Sequence, residues 1–221
     1  TTVSITNRSI TVVPDTVLSE SSTYHYEITT ITDLADNSIA ADISGSFTTG
    51  TELDETDGTV LSRSPVAKDT DIPLNAVVEM KLSERVDPAT VNDETFRVYD
   101  QTNDQYISGS LSLSEGNTRI TFTPDEALAV SSRHYISMSG YYGNYGTKYV
   151  KDLAGNIIGY HTSSYGDTYF TTGTSTDEIA PILEVVGLTD GLTEAPLNSR
   201  LSLHFDERIK ASSAIGGVKL F

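Results

Sequence analysis

The sequence repeats itself, and this repeat constrains the fold more than any single motif does. The block Phe47 to Thr51 (FTTGT) returns as Phe170 to Thr174, 123 residues later. The block Pro73 to Asn75 (PLN) returns as Pro196 to Asn198 at the same displacement of 123. Because several blocks recur in the same order, the chain is predicted to use one structural unit more than once.

The positions of the repeated blocks predict three copies of the unit, of which one is whole. Residues 1–50 correspond to the C-terminal half of a copy, residues 51–174 to a complete copy, and residues 175–221 to the N-terminal half of a further copy. Ile10 to Asp15 matches Ile120 to Asp125 at a shorter displacement of 110. The complete copy therefore carries additional residues downstream of this block, most of them in a Gly- and Tyr-rich stretch.

Within the complete copy, apolar residues alternate with polar ones at a period of two. Val78, Met80 and Leu82 alternate with Glu79 and Lys81. This pattern is typical of a strand with one face in a core and the other in water. Further short alternating segments follow, separated by turn signals, and no long window keeps helical spacing. The sequence therefore predicts an all-β fold, a Greek-key β-sandwich of about seven strands in each complete unit.

Charge and composition exclude several classes of function. The chain has 31 acidic and 14 basic residues, a net charge of −17 with histidine neutral. A surface for nucleic acid or anionic lipid needs clustered Lys and Arg, so neither is expected as a partner. The absence of cysteine excludes a disulfide framework and a thiolate metal site. No stretch approaches the roughly 20 apolar residues of a membrane-spanning helix, so no membrane span is expected in this sequence.

Four blocks together resemble a known family. They are IPLNAVVEMKLSERVDPATV (residues 72–91), TRITFTPDEAL (118–128), DLAGN (152–156) and YFTTGT (169–174). This pattern resembles the bacterial Ig-like domains that occur in tandem in surface-layer and other large cell-surface proteins. The resemblance implies tandem immunoglobulin-like sandwiches, an extracellular or bacterial cell-surface location, and neighbouring Ig-like repeats as partners.

The loop Asp152 to Asn156, which matches Asp33 to Asn37, allows two interpretations. In the first, it is a structural turn whose Asp and Asn side chains bond nearby backbone amides. In the second, it takes part in binding calcium, the one cofactor that the sequence suggests. Calcium takes about six to eight oxygen ligands, so linker acids would have to complete a site. The predicted calcium ligands are Asp33, Asp36, Asp152 and Asn156.

Several tyrosines cluster in the Gly- and Tyr-rich stretch of the complete copy. Tyrosine offers apolar area with a polar tip at low entropic cost, which suits sugar stacking or protein contact. The alternative is that the stretch packs on itself as a long hairpin. The predicted contact loop for a surface glycan or protein ligand consists of Tyr141, Tyr142, Tyr145 and Tyr149.

No catalytic residue is predicted. The sequence has no Gly-rich phosphate loop, no Gly-x-Ser-x-Gly elbow and no Cys/His cluster. His134 and His204 fall on predicted strands, at positions expected to be partly exposed. Tyr135 is predicted to form a tyrosine corner, with its hydroxyl bonded to the backbone of the preceding crossover. These residues are therefore expected to pack rather than to react.

Three functions are open from the sequence. The first is a non-catalytic structural or adhesive component of a bacterial cell surface or extracellular filament, built from tandem repeats. The second is a subunit of a head-to-tail polymer, in which residues 175–221 of one subunit complete residues 1–50 of the next by strand addition. The third is a carbohydrate-binding ancillary module of an extracellular enzyme.

Overall fold

Short β-hairpins form most of the regular structure of the chain. The structure is a computed structural model, which describes residues 1–6, 9–138, 148–159, 169–214 and 217–219, with backbone alone at 4–6, 9, 211 and 212. The chain divides into two units, Thr1–Glu55 and Thr56–Phe221. Within the described ranges, no helix has the length and apolar character needed to cross a bilayer.

The first unit consists of two antiparallel hairpins. Its strands are β1 (Thr2–Thr6), β2 (Ser9–Val13), β3 (Thr23–Ile28) and β4 (Ile43–Thr48). Strand β1 pairs with β2, and β3 pairs with β4, each as a two-stranded sheet.

The second unit begins with a two-sheet sandwich, which has nine strands in its described part. They are β5 (Gly58–Ser64), β6 (Val78–Leu82), β7 (Phe96–Asp100), β8 (Gln105–Tyr106), β9 (Gly109–Ser114), β10 (Arg119–Pro124), β11 (Arg133–Met138), β12 (Ile158–Gly159) and β13 (Tyr169–Thr171). One sheet has the order β12-β5-β6-β10-β9, and the other has the order β13-β11-β7-β8. A 3-10 turn at Pro88–Thr90 lies between β6 and β7. The predicted all-β sandwich is confirmed.

The core lies between the two sheets, where inward-facing residues alternate along each strand. On β6, Val78, Met80 and Leu82 are buried, whereas Glu79 and Lys81 are half-buried on the other face. Residues from both sheets and the connecting loops complete the core: Phe96, Val98, Ile120, Phe122, Ile136, Met138, Val150, Ile158 and Phe170. Burying each such side chain contributes about 1.5–3 kcal/mol, so packing stabilises the sandwich without disulfides.

A further hairpin follows the sandwich within the second unit. Its elements are β14 (Leu183–Val186), β15 (Leu203–Phe205) and the one-turn helix α1 (Ala211–Ala214).

The pairing of β14 with β15 copies the pairing of β5 with β6. In the sandwich, Val60 lies opposite Leu82, and a bulge follows Val60. In the later hairpin, Leu183 lies opposite Phe205, and a bulge follows Leu183. Both residues stand 123 positions after their counterparts, so the repeated sequence adopts a repeated strand register.

The hairpin β1–β2 likewise copies β9–β10. Ile10 lies opposite Ile5 in the first unit. Ile120, 110 residues after Ile10, lies opposite Leu113 in the sandwich. An isoleucine opposite an aliphatic cross-strand partner therefore occurs in both units.

Candidate functional site

Asp152 anchors the loop that precedes β12. Its Oδ1 accepts hydrogen bonds from the backbone N–H groups of Ala154, Gly155 and Asn156 at 2.8, 2.7 and 2.9 Å. Its Oδ2 accepts a hydrogen bond from Asn156 Nδ2 at 2.9 Å. Gly155 has a φ of 95°, a left-handed conformation that favours glycine. This geometry is that of the predicted structural turn.

Asp33 anchors the matching loop of the first unit with nearly the same bonds. Its Oδ1 accepts from the backbone N–H groups of Ala35 and Asn37 at 2.8 and 2.9 Å, and its Oδ2 accepts from Asn37 Nδ2 at 2.9 Å. Asp36 has a φ of 63°, a left-handed conformation like that of Gly155. The bonds from Asn37 and then Ala35 hold the pKa of the Asp33 carboxyl below its usual range. Both loops thus use an aspartate to order their own backbone.

The four predicted calcium ligands divide between these two loops. Asp152 and Asn156 come together in one loop. Asp33 and Asp36 come together in the other. A carboxylate oxygen of Glu84 lies within 4.8 Å of a carboxylate oxygen of Asp152. A second acidic side chain therefore lies beside the Asp152 loop. Calcium binding by these residues stays a prediction.

The predicted contact loop is described at one of its four tyrosines. Tyr149 is half-buried in an irregular segment. The neighbouring Lys148 forms an ion pair with Glu94, which ties this segment to the turn before β7. The role of the loop in binding a glycan or protein ligand stays a prediction. Three of its residues lie outside the described part of the chain: Tyr141, Tyr142 and Tyr145.

A buried polar cluster, which the sequence did not predict, links β7, β11 and β13. The hydroxyl of Ser132 donates to Asp100 Oδ1, and the backbone N–H of Ser132 donates to Thr172 Oγ1 at 3.0 Å. Asp100 also accepts from the backbone N–H of Thr102 at 2.9 Å and from Asn103 Nδ2 at 2.6 Å. Burial alone would raise the pKa of Asp100, but these hydrogen bonds outweigh it and lower the pKa. The carboxylate therefore stays charged inside the protein.

His134 is fully buried beside this cluster, so the predicted partly exposed position is wrong. Its ring stacks on Phe170 with the ring centroids 5.3 Å apart. Its Nδ1 lies 3.2 Å from the carbonyl oxygen of Ser132, and its Nε2 is buried without a hydrogen-bond partner. Burial lowers the pKa of His134, against smaller opposing effects of Asp100 and the Ser132 carbonyl. The alternation of inward and outward positions along β11, and not the polarity of the side chain, decides that His134 is buried. His204 on β15 is exposed.

Ser132, His134 and Asp100 are the residue types of a nucleophilic triad, but their contacts differ from those of a triad. In a triad, the serine hydroxyl bonds to the histidine that removes its proton. Here the hydroxyl of Ser132 donates to Asp100, and His134 Nδ1 faces a backbone carbonyl. All three side chains are buried. The cluster therefore serves packing.

Tyr135 does not form the predicted tyrosine corner. Its ring lies near the rings of Tyr99 and Tyr169, with centroids 6.5 and 5.7 Å away. Its hydroxyl lies 3.5 Å from Gln101 Oε1. Because the adjacent His134 points into the core, alternation turns Tyr135 to the outer face of the sheet, away from the crossover.

Asn75 joins the sandwich to the residues that follow it. Its Nδ2 donates to the carbonyl oxygen of Asp177 at 2.6 Å, and its Oδ1 accepts from the backbone N–H of Asp177 at 3.0 Å. Beside it, the backbone N–H of Leu74 donates to the carbonyl oxygen of Ser175 at 3.0 Å. These bonds fix the path of the chain as it leaves the sandwich.

Two basic side chains that follow β15 reach back to the sandwich. Arg208 donates to the carbonyl oxygen of Thr70 at 2.6 Å and lies 3.7 Å from a carboxylate oxygen of Asp69. Lys210 Nζ lies 3.0 Å from Glu79 Oε1 on β6. Together with Asn75, they form a joint between the sandwich and residues 175–221.

Comparison with known proteins identifies the sandwich. A sequence model of the family described as bacterial Ig-like domain matches residues 54–172. The chain belongs to the bacterial Ig-like domain family. The resemblance predicted from the sequence blocks is thereby confirmed, and no curated protein matches the chain.

Two kinds of solved structure are similar to this Ig-like chain over part of its length. Domains 1–6 of the surface layer protein SbsC share 18% identity, with 61% of this chain and 16% of that chain covered and a TM-score of 0.38. An L,D-transpeptidase from Mycobacterium smegmatis shares 18% identity, with 53% and 41% covered and a TM-score of 0.34. The chain therefore spans less than half of either structure. Similarity at this level says nothing about what the chain does.

The Ig-like sandwich buries positions whose counterparts in the first unit are exposed. Ile120 is 0% exposed, whereas Ile10 is 47% exposed. Phe170 is 0% exposed, whereas Phe47 is 48% exposed. The hairpins of the first unit thus present to solvent the apolar face that the Ig-like sandwich encloses.

The hairpin that follows the Ig-like sandwich is exposed in the same way. Leu74 is buried in the sandwich, whereas Leu197, 123 residues later, is fully exposed. Leu183 and Val185 on β14 are exposed as well.

Proposed function

We propose that this protein is a non-catalytic structural or adhesive component of a bacterial cell surface or extracellular filament, built from Ig-like units joined in series. The joint between the sandwich and the segment that follows carries the proposal. Asn75 binds the backbone of Asp177 through both polar ends of its amide. Beyond this point, β14 and β15 repeat the pairing of β5 and β6. A unit bonded in this way to the start of a like unit is suited to building a rod.

Both residues of the joint recur at the displacement of the repeat. Asn198 stands 123 residues after Asn75, in the same Pro-Leu-Asn block. Asp54 stands 123 residues before Asp177, and each of these aspartates is followed by glutamate. We infer that the Asn75–Asp177 contact is the pattern for every joint in the series, with an asparagine of one unit bonded to the aspartate that leads into the next. Arrays in which each repeat contacts its neighbours derive their function from length and regular spacing.

The polar groups of the sandwich support a structural role rather than turnover. The Ser132, His134 and Asp100 side chains are buried, and the serine hydroxyl is engaged by the carboxylate. A nucleophile needs access to its substrate, and the buried Ser132 hydroxyl has none.

Protease treatment of intact cells of the source bacterium tests the location. Peptides of residues 51–174 should be released from intact cells, while a cytoplasmic enzyme followed as the control should stay inside. Release of both proteins only after lysis would contradict a surface location. Electron microscopy with an antibody to the sandwich should then place the label on surface structures or filaments.

A further inference from the structure

Four tyrosines form a line across the outer face of the sheet β13-β11-β7-β8. The strand register places Tyr106 opposite Tyr99, Tyr99 opposite Tyr135, and Tyr135 opposite Tyr169. Each of the four strands therefore contributes one ring to a single line, which we call the tyrosine row. With about 4.8 Å between neighbouring strands, the tyrosine row is about 14 Å long.

The rings of the tyrosine row lie close to one another at steep angles. From Tyr106 to Tyr169, successive ring centroids are 5.4, 6.5 and 5.7 Å apart, with interplanar angles of 65°, 47° and 56°. Tyr106 is 46% exposed, and the other three tyrosines are half-buried. The row therefore offers apolar ring surface to solvent, while contacts between neighbouring rings hold it in place.

Two arginines flank the tyrosine row. Arg97 stands two residues before the row on β7, and its guanidinium carbon lies 4.8 Å from the centroid of the Tyr106 ring. Arg133 stands two residues before the row on β11, and its guanidinium carbon lies 4.3 Å from the centroid of the Tyr169 ring. Because β7 and β11 are antiparallel, the two arginines lie on opposite sides of the row. Each end of the row therefore has one guanidinium group.

The face that carries the tyrosine row is positively charged, although the chain has 31 acidic and 14 basic residues. Within the bounds given for these four strands, alternation turns outward the four tyrosines, the two arginines, Ser137 and Thr171, and no acid. Asp100 on β7 points inward and is buried. Asp104, in the turn before β8, accepts a hydrogen bond from the Tyr99 hydroxyl. The face itself thus complements an anionic ligand.

Basic residues on the outer face of the opposite sheet have a different environment. Lys81 and Arg119 both form ion pairs with Glu115, and Arg119 also pairs with Glu79 at 3.0 Å. Their charge is therefore compensated within the protein. Arg133 lies against neutral groups instead, the Tyr169 ring and the Tyr135 hydroxyl 3.5 Å away.

The repeat shows that the fold does not require the tyrosine row. In the first unit, β3 pairs with β4 as β11 pairs with β13. The cross-strand pair His25 and Ser46 stands there in place of Tyr135 and Tyr169, at the displacements of 110 and 123 residues. A residue pair that the strand pairing needed would recur with the repeat. The row is therefore a feature of the complete copy alone among these two.

We propose that the tyrosine row binds an extended polysaccharide that carries carboxylate groups. Its sugar rings lie against the tyrosines, which combine apolar area with a hydroxyl group. Arg97 and Arg133 donate to its carboxylates, because the guanidinium fork matches the two oxygens of a carboxylate. This inference rests on the proposed function and names a ligand class for its adhesive role.

Two other kinds of anionic ligand suit this face less. An acidic peptide that binds a sheet by strand addition uses a strand edge, whereas the tyrosine row crosses all four strands on the face. Nucleic acid stacks on aromatic rings as well, but its phosphates require clustered Lys and Arg in a groove along the backbone. A linear, sparsely charged polymer of sugar rings needs only a line of aromatic rings with a cation at each end.

Binding to immobilised chain, measured by biolayer interferometry at about 0.15 M salt, tests the ligand class. We expect polygalacturonate to bind, and fully methyl-esterified polygalacturonate to bind at least about tenfold more weakly, because the ester removes the charge from the same sugar backbone. Alginate and hyaluronate are two further polymers with carboxylate groups. Failure of all three acidic polymers to bind would overturn the proposal, and equal binding of the esterified polymer would overturn the role of charge. Tighter binding of poly-L-glutamate than of any of them would assign the face to an acidic protein.

Substitutions taken from the first unit test the site. The double variant Tyr135→His/Tyr169→Ser installs a cross-strand pair that the same strand pairing already accommodates, and should weaken binding about tenfold. Arg133→Thr also installs the residue of the first unit and should weaken binding about tenfold or more, through the loss of a charge-assisted hydrogen bond. Lys81→Gln removes the same charge from the outer face of the opposite sheet and is the matched control.

The outcomes of these variants separate a binding site from a general effect. Urea unfolding should show that each variant keeps its fold, and Arg133→Thr decides the matter should the double variant unfold. Unchanged binding in Arg133→Thr would overturn the site. Equal weakening by Lys81→Gln would assign the effect to net charge and would also overturn the site.

The two proposals fail in different ways. A chain that binds none of the acidic polymers, with protease release from intact cells still observed, would overturn the ligand and leave the surface role standing. A chain that binds them through the tyrosine row but resides in the cytoplasm would overturn the surface role and leave the binding site standing.

Discussion

The side-chain amide of Asn75 brackets the backbone of Asp177, with 2.6 Å from Nδ2 to its carbonyl oxygen and 3.0 Å from Oδ1 to its nitrogen. An amide side chain has both a donor and an acceptor, so one residue can satisfy both polar groups of the backbone it faces. The joint between the sandwich and the next segment therefore depends on a residue outside the hydrophobic core.

Asn75→Ala should loosen the joint and spare the sandwich. Each lost hydrogen bond is worth about 0.5–1.5 kcal/mol, so the backbone amide of Asp177 should exchange with deuterium about two- to tenfold faster per bond. Hydrogen exchange followed by NMR measures this change. Asn198→Ala, in the same Pro-Leu-Asn block, is the matched control and should leave exchange at Asp177 unchanged. Unaltered exchange in Asn75→Ala would contradict the role of this residue.

Asp152→Ala should destabilise the second unit. The substitution removes a buried carboxylate that accepts from three backbone N–H groups, at a cost of about 1–3 kcal/mol. Urea unfolding followed by the fluorescence of the tyrosines measures the loss. Asp33→Ala removes the matching acceptor from the first unit and should leave unfolding of the second unit unchanged. Equal effects of the two variants on the second unit would contradict this account.

Local and repeated signals in the sequence predicted most of the fold. The alternation of Val78, Met80 and Leu82 with polar residues correctly predicted which face of β6 is buried. The displacement of 123 residues corresponds to a repeated strand register, because Leu183 pairs with Phe205 as Val60 pairs with Leu82. Both signals depend on neighbouring residues or on a second copy of the pattern, so they require no knowledge of long-range contacts.

The buried polar cluster could not be predicted in this way. Asp100 and Ser132 are 32 residues apart and meet only because β7 and β11 pair. His134 was misplaced because its polarity suggested exposure. His134 stands two and four residues before the buried Ile136 and Met138 on β11, so it lies on the same face of the strand. This spacing was the signal that could have placed it in the core.

Calcium binding at the Asp152 loop is tested by unfolding with and without the ion. If Asp152 and Asn156 ligate calcium, a hundredfold excess over Kd adds about 2.7 kcal/mol to the stability of the second unit. The melting temperature should then rise with calcium and return on chelation, and Asp152→Asn should abolish the rise. Magnesium, which prefers smaller octahedral sites, is the control ion. A melting curve insensitive to chelator would contradict the prediction.

The buried imidazole of His134 should make the second unit sensitive to mild acid. Its pKa in the folded state lies below the value of about 6.5 in an unfolded chain. As the pH falls, the unfolded state therefore binds the proton first, and the folded state loses stability. This contribution is complete above about pH 6.5 and declines as the pH falls toward the folded pKa. The lowered pKa of Asp100 acts in a separate window, where stability is present above about pH 3.9 and is lost as the pH falls through the folded value.

His134→Phe should remove the loss of stability that begins below about pH 6.5, the higher of these two pH ranges. An aromatic replacement suits the site because Tyr24 stacks on Phe47 in the corresponding hairpin of the first unit, with the ring centroids 5.8 Å apart. Urea unfolding from about pH 7 to pH 5 should show falling stability in the natural chain and a flatter profile in the variant. His204→Phe is the matched control, because this histidine on β15 is exposed and its replacement should leave the profile unchanged. A profile that falls as steeply in His134→Phe would assign the acid sensitivity to other groups, since the variant has no proton to gain at this position.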